Sequence, residues 1–185
     1  MTRKTAEMIM DHKSIQLALN RICHAIVERN GGTENLAVIG IRTGGAFLAE
    51  RIAKALGKIG KTKVPVGIMD ITLYRDDIQD KLDQPLVQKT DIPFNIVDKI
   101  IVLVDDVLYT GRTVRSALDA IIDFGRPRAI QLAVLIDRGL RELPIKADFA
   151  GKEVTTSHKE RVEVHLKEIE GIDEVIIDRS GRGGV

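Results

Sequence analysis

The run Ile101–Thr113, IVLVDDVLYTGRT, holds the residues of this chain best suited to chemistry. Two adjacent acids, Asp105 and Asp106, end an apolar stretch, and Thr110, Gly111, Arg112 and Thr113 then lead into a helical pattern. Free backbone N–H groups at a helix start suit a phosphate. Gly111 permits positive φ or the close approach of a ligand. The hydroxyls of Thr110 and Thr113 can donate to phosphate oxygens, and Arg112 either adds charge or faces solvent. Carboxylates beside a phosphate cradle repel the phosphate, so they need another partner. Sugar hydroxyls donate to carboxylates, and Mg²⁺ is a counter-ion for both groups. A phosphorylated ribose with a metal-bound pyrophosphate satisfies every part. An acidic pair alone would be no more than a favourable charge on a helix dipole; the complete string carries the reading. Neither GxGxxG nor GxxxxGK[ST] occurs, which sets aside the dinucleotide fingerprint and the P-loop.

The elements that must position this run follow from periodicity. Asp11 is a plausible N-cap, and Ile15, Leu19, Ile22 and Ile26 recur at helical spacing up to Asn30-Gly31-Gly32. Leu36–Ile41 predicts a buried strand, Arg42–Gly45 a turn, and Ala46–Leu56 a helix with Gly57 as its stop. Val64–Leu73 predicts a further strand. Tyr74–Ile96 is polar, with Pro85 and Pro93, and predicts a long functional excursion from the sheet. Ile100–Val104 is the clearest strand, Gly111–Phe124 a helix, and Ile130–Ile136 another buried strand. Ile145–Phe149 and Val162–Leu166 are weaker strand candidates, and the glycine-rich tail Arg179–Val185 is expected to fray. Apolar strands alternating with helices predict an α/β fold with a mostly parallel sheet and flanking helices. Its ligand then lies beyond the carboxyl ends of the strands. Arg42–Gly45, Asp105–Arg112 and Asp137–Arg141 are the loops at those ends.

Composition narrows the function classes. A chain of 185 residues, 44% of them hydrophobic, suffices for one domain, taken here as residues 1–185. The net charge of +1 means that nucleic-acid binding would require a local basic patch. A single cysteine, Cys23, excludes an intrachain disulfide and cysteine metal clusters, and predicts a cytoplasmic protein. No apolar run reaches the length of a membrane span, and Met1–Met10 does not read as a secretory signal. The absence of Trp argues against an aromatic base-stacking platform. His158 reads as loop surface and His165 as the outward position of a strand, with no zinc site.

VLVDDVLYTGRT resembles the phosphoribosylpyrophosphate-binding motif of type I phosphoribosyltransferases. VIGIRTGGAFLA, DITLYRDD, GRPRAIQLAVLIDRG and RELPIKADFAGK extend the resemblance to about Val164. They point to the bacterial regulators of pyrimidine biosynthesis that also show uracil phosphoribosyltransferase activity. The resemblance implies a type I phosphoribosyltransferase fold with a small hood and a flexible flap over about 74–96. It implies that Asp105 and Asp106 hold the ribose 2′- and 3′-hydroxyls as the catalytic pair, and that Thr110–Thr113 hold the 5′-phosphate. Val107, Leu108 and Tyr109 belong to the same substrate-binding run. Arg42, Thr43 and Gly44 match the pyrophosphate loop, where many relatives have an arginine at the position of Gly44. Arg75 would neutralise pyrophosphate, Asp76 and Asp77 would help hold metal, and Asp137 and Arg138 would meet the uracil ring. Mg²⁺ would be bound mainly through the pyrophosphate of the substrate, with no direct protein ligand named. The products are UMP and pyrophosphate.

The same resemblance implies a second activity, attenuation of pyrimidine genes by binding leader RNA when loaded with UMP or UTP. The RNA-binding positions it implies are Asn20, Arg21, His24, Arg29, Arg42, Arg141, Lys146 and Lys152, with Leu140 where a histidine is often found. These are expected to form a surface apart from the nucleotide cradle. A homodimer or larger even oligomer is implied as well. The alternative is a purely metabolic phosphoribosyltransferase for uracil or another base, which needs no basic face.

Overall fold

The computed structural model describes residues 6–74 and 90–181. Arg75, Asp76, Asp77 and most of the expected flap lie outside the described residues, as do the last four residues of the tail. In chain order the elements are β1 (Ala6–Met10), α1 (His12–Asn30), β2 (Leu36–Ile41), α2 (Gly44–Gly60), β3 (Val66–Met69), a 3₁₀ turn (Thr72–Tyr74), β4 (Ile100–Leu108), α3 (Arg112–Asp123), β5 (Ala129–Asp137), β6 (Phe149–Glu153), β7 (Arg161–His165), α4 (Lys167–Glu170) and β8 (Glu174–Asp178). The strands β3-β2-β4-β5-β6 form a five-stranded sheet in which every neighbouring pair is parallel. A second, antiparallel sheet runs β1-β8-β7.

The central strands are apolar throughout because both faces of the large sheet are covered. Val102 and Val104 of β4 face a core built with Ile15, Ile22 and Ile26 of α1 and Leu48, Ile52 and Leu56 of α2. Ile101 and Leu103, pointing the other way, pack with Val114, Ala117 and Ile121 of α3. The expected cap of α1 is present: Asp11 accepts from Ser14 N at 2.8 Å, and Gly31 takes the left-handed conformation at the other end.

Several boundaries differ from expectation. α2 does not stop at Gly57 but runs to Gly60. A side chain at Gly57 would meet Thr62 O at 2.8 Å, so this glycine makes room for the returning chain. β3 is shorter than Val64–Leu73, because Asp70 accepts from Thr72 N at 2.9 Å and turns the chain into the 3₁₀ segment. Ile145–Phe149 is not a strand; Ile145 belongs to a loop and β6 begins at Phe149. β1 and β8 pair with each other across the length of the chain, a partnership that local pattern does not announce. Arg179 is not frayed, since it donates to Glu7 at 2.9 Å and also to Glu160. No helix among the described residues is long and apolar enough to cross a membrane.

The small sheet is tied to the large one by a charged network. Arg51 of α2 donates to Glu168 at 2.5 Å and to Asp173 at 2.7 Å. Lys167 N and His12 Nδ1 each lie 2.8 Å from the Asp173 carboxylate. Burial pushes this carboxyl up, but its donors outweigh burial and bring it down to about 2. A carboxyl lowered on folding stabilises the fold above its unfolded value, and that contribution disappears as pH falls through the folded value. Arg51→Ala, which leaves Asp173 buried with a lost partner, should cost about 3 kcal/mol in urea unfolding at neutral pH. Asp173→Asn should lose less stability than the parent chain between about pH 4 and pH 2, and a urea series over that window checks it.

Candidate active site

β4 carries the acid pair. Contrary to the expected stop at Val104, the strand continues through Asp105 and Asp106 to Leu108. It can do so because pairing with β5 runs on to Leu108↔Asp137, whereas pairing with β2 ends at Gly40↔Val104. The acids therefore emerge where the pairing of β4 with β2 has ended, and the start of α2 fills the space. A side chain at Gly45 would come within 2.4 Å of Val104 O, and one at Gly44 within 2.4 Å of the Asp106 carboxylate. A side chain at 44 would therefore have to move the Asp106 carboxylate aside. Arg42 and Thr43 precede it, joined by a cis peptide bond. Gly44 and Asp106 thus stand in direct contact at the start of α2.

On the far side of the acids the chain passes through Tyr109 and Thr110 to Gly111, whose φ of +93° is a left-handed conformation suited to glycine. The need here is conformational: a side chain would meet Ile145 and Leu143 only at ordinary contact, 3.4 Å. α3 starts at Arg112, so its free N–H groups open toward the loop. Asp105, Val107–Thr113, Val114 and Ser116 line a cavity of about 230 Å³. The acid pair thus stands between two helix N-termini, each a partial positive charge.

The two carboxyls are not equivalent. Asp105 is buried and accepts from Asp106 N at 2.9 Å, while Asp106 is half-buried and accepts from Val107 N at 2.8 Å. Burial first, and then the charge of Asp106, push the Asp105 carboxyl well above the usual carboxylate range. Among the described residues no group of three or more His, Cys, Asp or Glu could hold a metal by itself. The two adjacent carboxylates supply oxygen donors only, which fits a Mg²⁺ that arrives on a phosphate and keeps most of its own waters.

Other expected positions are engaged by groups of the protein itself. Arg112 pairs with Glu142 at 2.7 Å. Arg138 is buried, lies 4.1 Å over the Tyr109 ring and donates to Thr156, Ser157 and Glu160. Asp137 accepts from Gly139 N at 3.0 Å and from Arg141 at 2.5 Å. Arg141 is not apart from the cradle. Its guanidinium also donates to the carbonyls of Tyr109 (2.8 Å), Gly139 (3.0 Å) and Ile145 (2.9 Å), clamping the loop after β4 to the loop after β5. The N–H groups of Glu142 and Leu143 complete the clamp on Thr110 O at 3.0 and 3.1 Å. His158, read as loop surface, is exposed yet lies 3.0 Å from the Tyr109 hydroxyl. Nothing local signalled these links, because each joins residues distant in sequence.

Four of the expected RNA-binding positions, Asn20, Arg21, His24 and Arg29, lie on α1 and divide between two of its faces. Arg21 donates to Gly151 O, and Arg29 pairs with Asp148 at 2.6 Å, so both follow the α1–β6 seam. Lys152 joins them there, donating to Ile9 O at 2.9 Å. Asn20 and His24 face away from that seam, toward α2. Lys146 is exposed on the loop before β6.

A carboxyl whose pKa is raised on folding favours the fold when protonated. The parent chain should therefore lose stability relative to Asp105→Asn as pH rises from about 4 toward the raised folded value, with a constant gap above it. The amide oxygen keeps the bond to Asp106 N, so the comparison isolates the charge. Denaturant midpoints of both proteins that run parallel across this range would contradict the buried charge.

The family model described as "Phosphoribosyl transferase domain" matches residues 5–168. A "Bifunctional protein PyrR" of Thermoanaerobacter sp. (strain X514) is 60% identical over 169 residues, covering 91% of this chain and 95% of that protein. The protein of the same name from Pelotomaculum thermopropionicum is 58% identical over 96% of this chain and 97% of its own length. Among solved structures, a hypoxanthine phosphoribosyltransferase of Staphylococcus aureus shares the fold with a TM-score of 0.67 at 20% identity, over 92% of this chain and 90% of that one. That of Trypanosoma cruzi reaches 0.70 at 15% identity, over 94% and 96%. Motif, fold and relatives agree that this chain belongs to the type I phosphoribosyltransferase family, within the group of bifunctional PyrR proteins.

Proposed function

We propose that the chain transfers the phosphoribosyl group of 5-phosphoribosyl-1-pyrophosphate to uracil, giving UMP and pyrophosphate. The observation that carries this reading is the acid pair of β4 standing between the starts of α2 and α3. Backbone N–H groups at Gly111–Thr113, with the hydroxyls of Thr110 and Thr113, take the 5′-phosphate. The start of α2 at Gly44 takes the pyrophosphate, and Asp105 and Asp106 accept the ribose hydroxyls between them. N1 of uracil then displaces pyrophosphate at C1 of the ribose. The protein contributes orientation and charge compensation rather than covalent chemistry. Mg²⁺ arriving on the pyrophosphate would supply charge neutralisation to the leaving group, with the carboxylates of Asp105 and Asp106 as the nearby oxygen donors. Arg138 and Arg141 act from behind, holding Tyr109 and the Asp137 loop in position.

The second half of the proposal is regulatory. The uridine-nucleotide-bound protein binds the leader RNA of pyrimidine genes and favours transcription termination. Support comes from the bifunctional relatives and from exposed Arg21, Arg29 and Lys152 along the α1–β6 seam, each of which spends a donor on the protein and keeps others for phosphates. In this reading the protein acts in the cytoplasm as a homodimer or larger even oligomer.

Uracil-dependent UMP formation with Mg²⁺ is the direct test, and background rates across pH and metal concentration would overturn the transferase reading. Asp106→Asn should lower kcat/KM at least tenfold, because it removes a charge that accepts a ribose hydroxyl. Arg141→Ala should also lose at least tenfold in UMP formation, since its clamp holds both loops of the site. An Arg141→Ala protein that loses RNA binding alone would return that residue to the RNA surface. For the regulatory half, UMP should tighten binding of the leader RNA, and RNA should tighten UMP by the same factor.

A further inference from the structure

α1 and α2 pack side by side, and with the segment around α4 they enclose an open groove of about 560 Å³ that shares no lining residue with the cavity beside the acid pair. Its volume lies in the range of ordinary small-ligand sites. One wall is Gln16, Asn20 and His24, spaced four apart on a single face of α1. The other wall carries Lys54 and Lys58, also four apart and exposed on α2, with Lys167 at the end. The floor is apolar, formed by Leu19, Ala55 and Ile59.

The charges in this groove are unequal. Its two carboxylates, Glu168 and Asp173, are both bound by Arg51, the fourth cation of the lining. That network is internally neutral to within one charge, so the three lysines set the sign of the surface. No ion pair among the described residues engages Lys54, Lys58 or Lys167. The α1 wall supplies what a base edge needs. His24 Nδ1 lies 2.8 Å from Asn20 O, and a carbonyl can only accept, so Nδ1 carries the proton. In the neutral ring Nε2 is then a lone-pair acceptor for a base N–H. The amides of Gln16 and Asn20 can both donate and accept.

An anionic group beside a flat polar-edged ring that also rests on apolar surface describes a nucleotide. RNA-binding proteins that read sequence do so mainly at unstacked, single-stranded bases. The three apolar side chains of the floor offer a face on which a base can rest. We infer that this groove receives one unstacked nucleotide of a single-stranded RNA segment, with its phosphates against Lys54 and Lys58 and its base edge against His24 and Asn20. The inference rests on the RNA-binding half of the proposed function and extends it from the α1–β6 seam around α1 to a second face. Lys54, Lys58, Lys167, Gln16 and the floor residues join the interface by this route, none of them marked by the sequence.

The test compares leader-RNA binding by the full chain, the double variant Lys54→Gln/Lys58→Gln, and a control, Arg126→Gln/Arg128→Gln. The control removes the same charge from exposed positions in the loop just before β5, none of which lines the groove. The groove variant should bind about tenfold more weakly at low salt, and its slope of log K against log salt should fall by about 1.4, the value for two single-strand phosphate contacts. The control should bind as the parent does, and UMP formation should be unchanged in both. Leader RNA carrying 4-thiouridine in its loop, irradiated with the parent chain, should label peptides spanning residues 16–24 or 51–59. Parent-like affinity in the groove variant, equal loss in the control, or labelling confined elsewhere would each overturn the groove while leaving RNA binding intact. Should the parent chain bind no leader RNA with or without UMP, the regulatory reading falls and the groove with it.

Discussion

Asp105 is buried beside Asp106, and the rest of the site is arranged around that costly juxtaposition. A charged carboxylate removed from water needs compensation, and a second one beside it doubles the demand. The structure compensates with geometry: β4 outruns β2, so the pair projects into a notch roofed by one helix start and faced by another. Gly40, Gly44 and Gly45 are what allow that roof to close. A methyl group on Gly40 would meet Gly45 O at 2.5 Å, and one on Gly45 would meet Val104 O at 2.4 Å. Backbone is thus packed directly on backbone, and only then do helix N–H groups stand close enough to the acids to share an anion with them.

The supporting layer is made of arginines that never need to touch a ligand. Arg138 lies under Tyr109, and Arg141 collects carbonyls from both loops of the site. A guanidinium suits this work because its five donors lie in one rigid plane and can satisfy several carbonyls together. Backbone carbonyls left at loop turns would otherwise be unpaired in a partly buried setting. Such an arginine looks, in sequence, no different from one that waits for a phosphate.

α1 faces two ways. One side presents Arg21 and Arg29 to β6, and the other presents Asn20 and His24 to the lysines of α2. The network at Arg51 and Asp173 keeps α2 and the small sheet in fixed relation, and with them the walls of the groove. The stability of the fold and the shape of this basic surface therefore depend on the same few ion pairs.

Local pattern sufficed for a good deal. The apolar strands, the cap at Asp11, the left-handed glycine at 31 and the string from Asp105 to Thr113 were legible because each depends on neighbours in the chain. The family could be recognised from that string and its companion segments for the same reason. Pairing of β1 with β8, the continuation of β4 through its acids, and the intramolecular partners of Arg138 and Arg141 were not legible. Nor was the meeting of α1 with α2 around a basic groove. Each depends on which distant residue arrives opposite, and a side chain's charge states what it can bind but not what the fold will set before it. The sequence by itself determined the chemistry available at the end of β4; the tertiary structure decided which cations stay free for a ligand, because packing commits the others to carbonyls and carboxylates first.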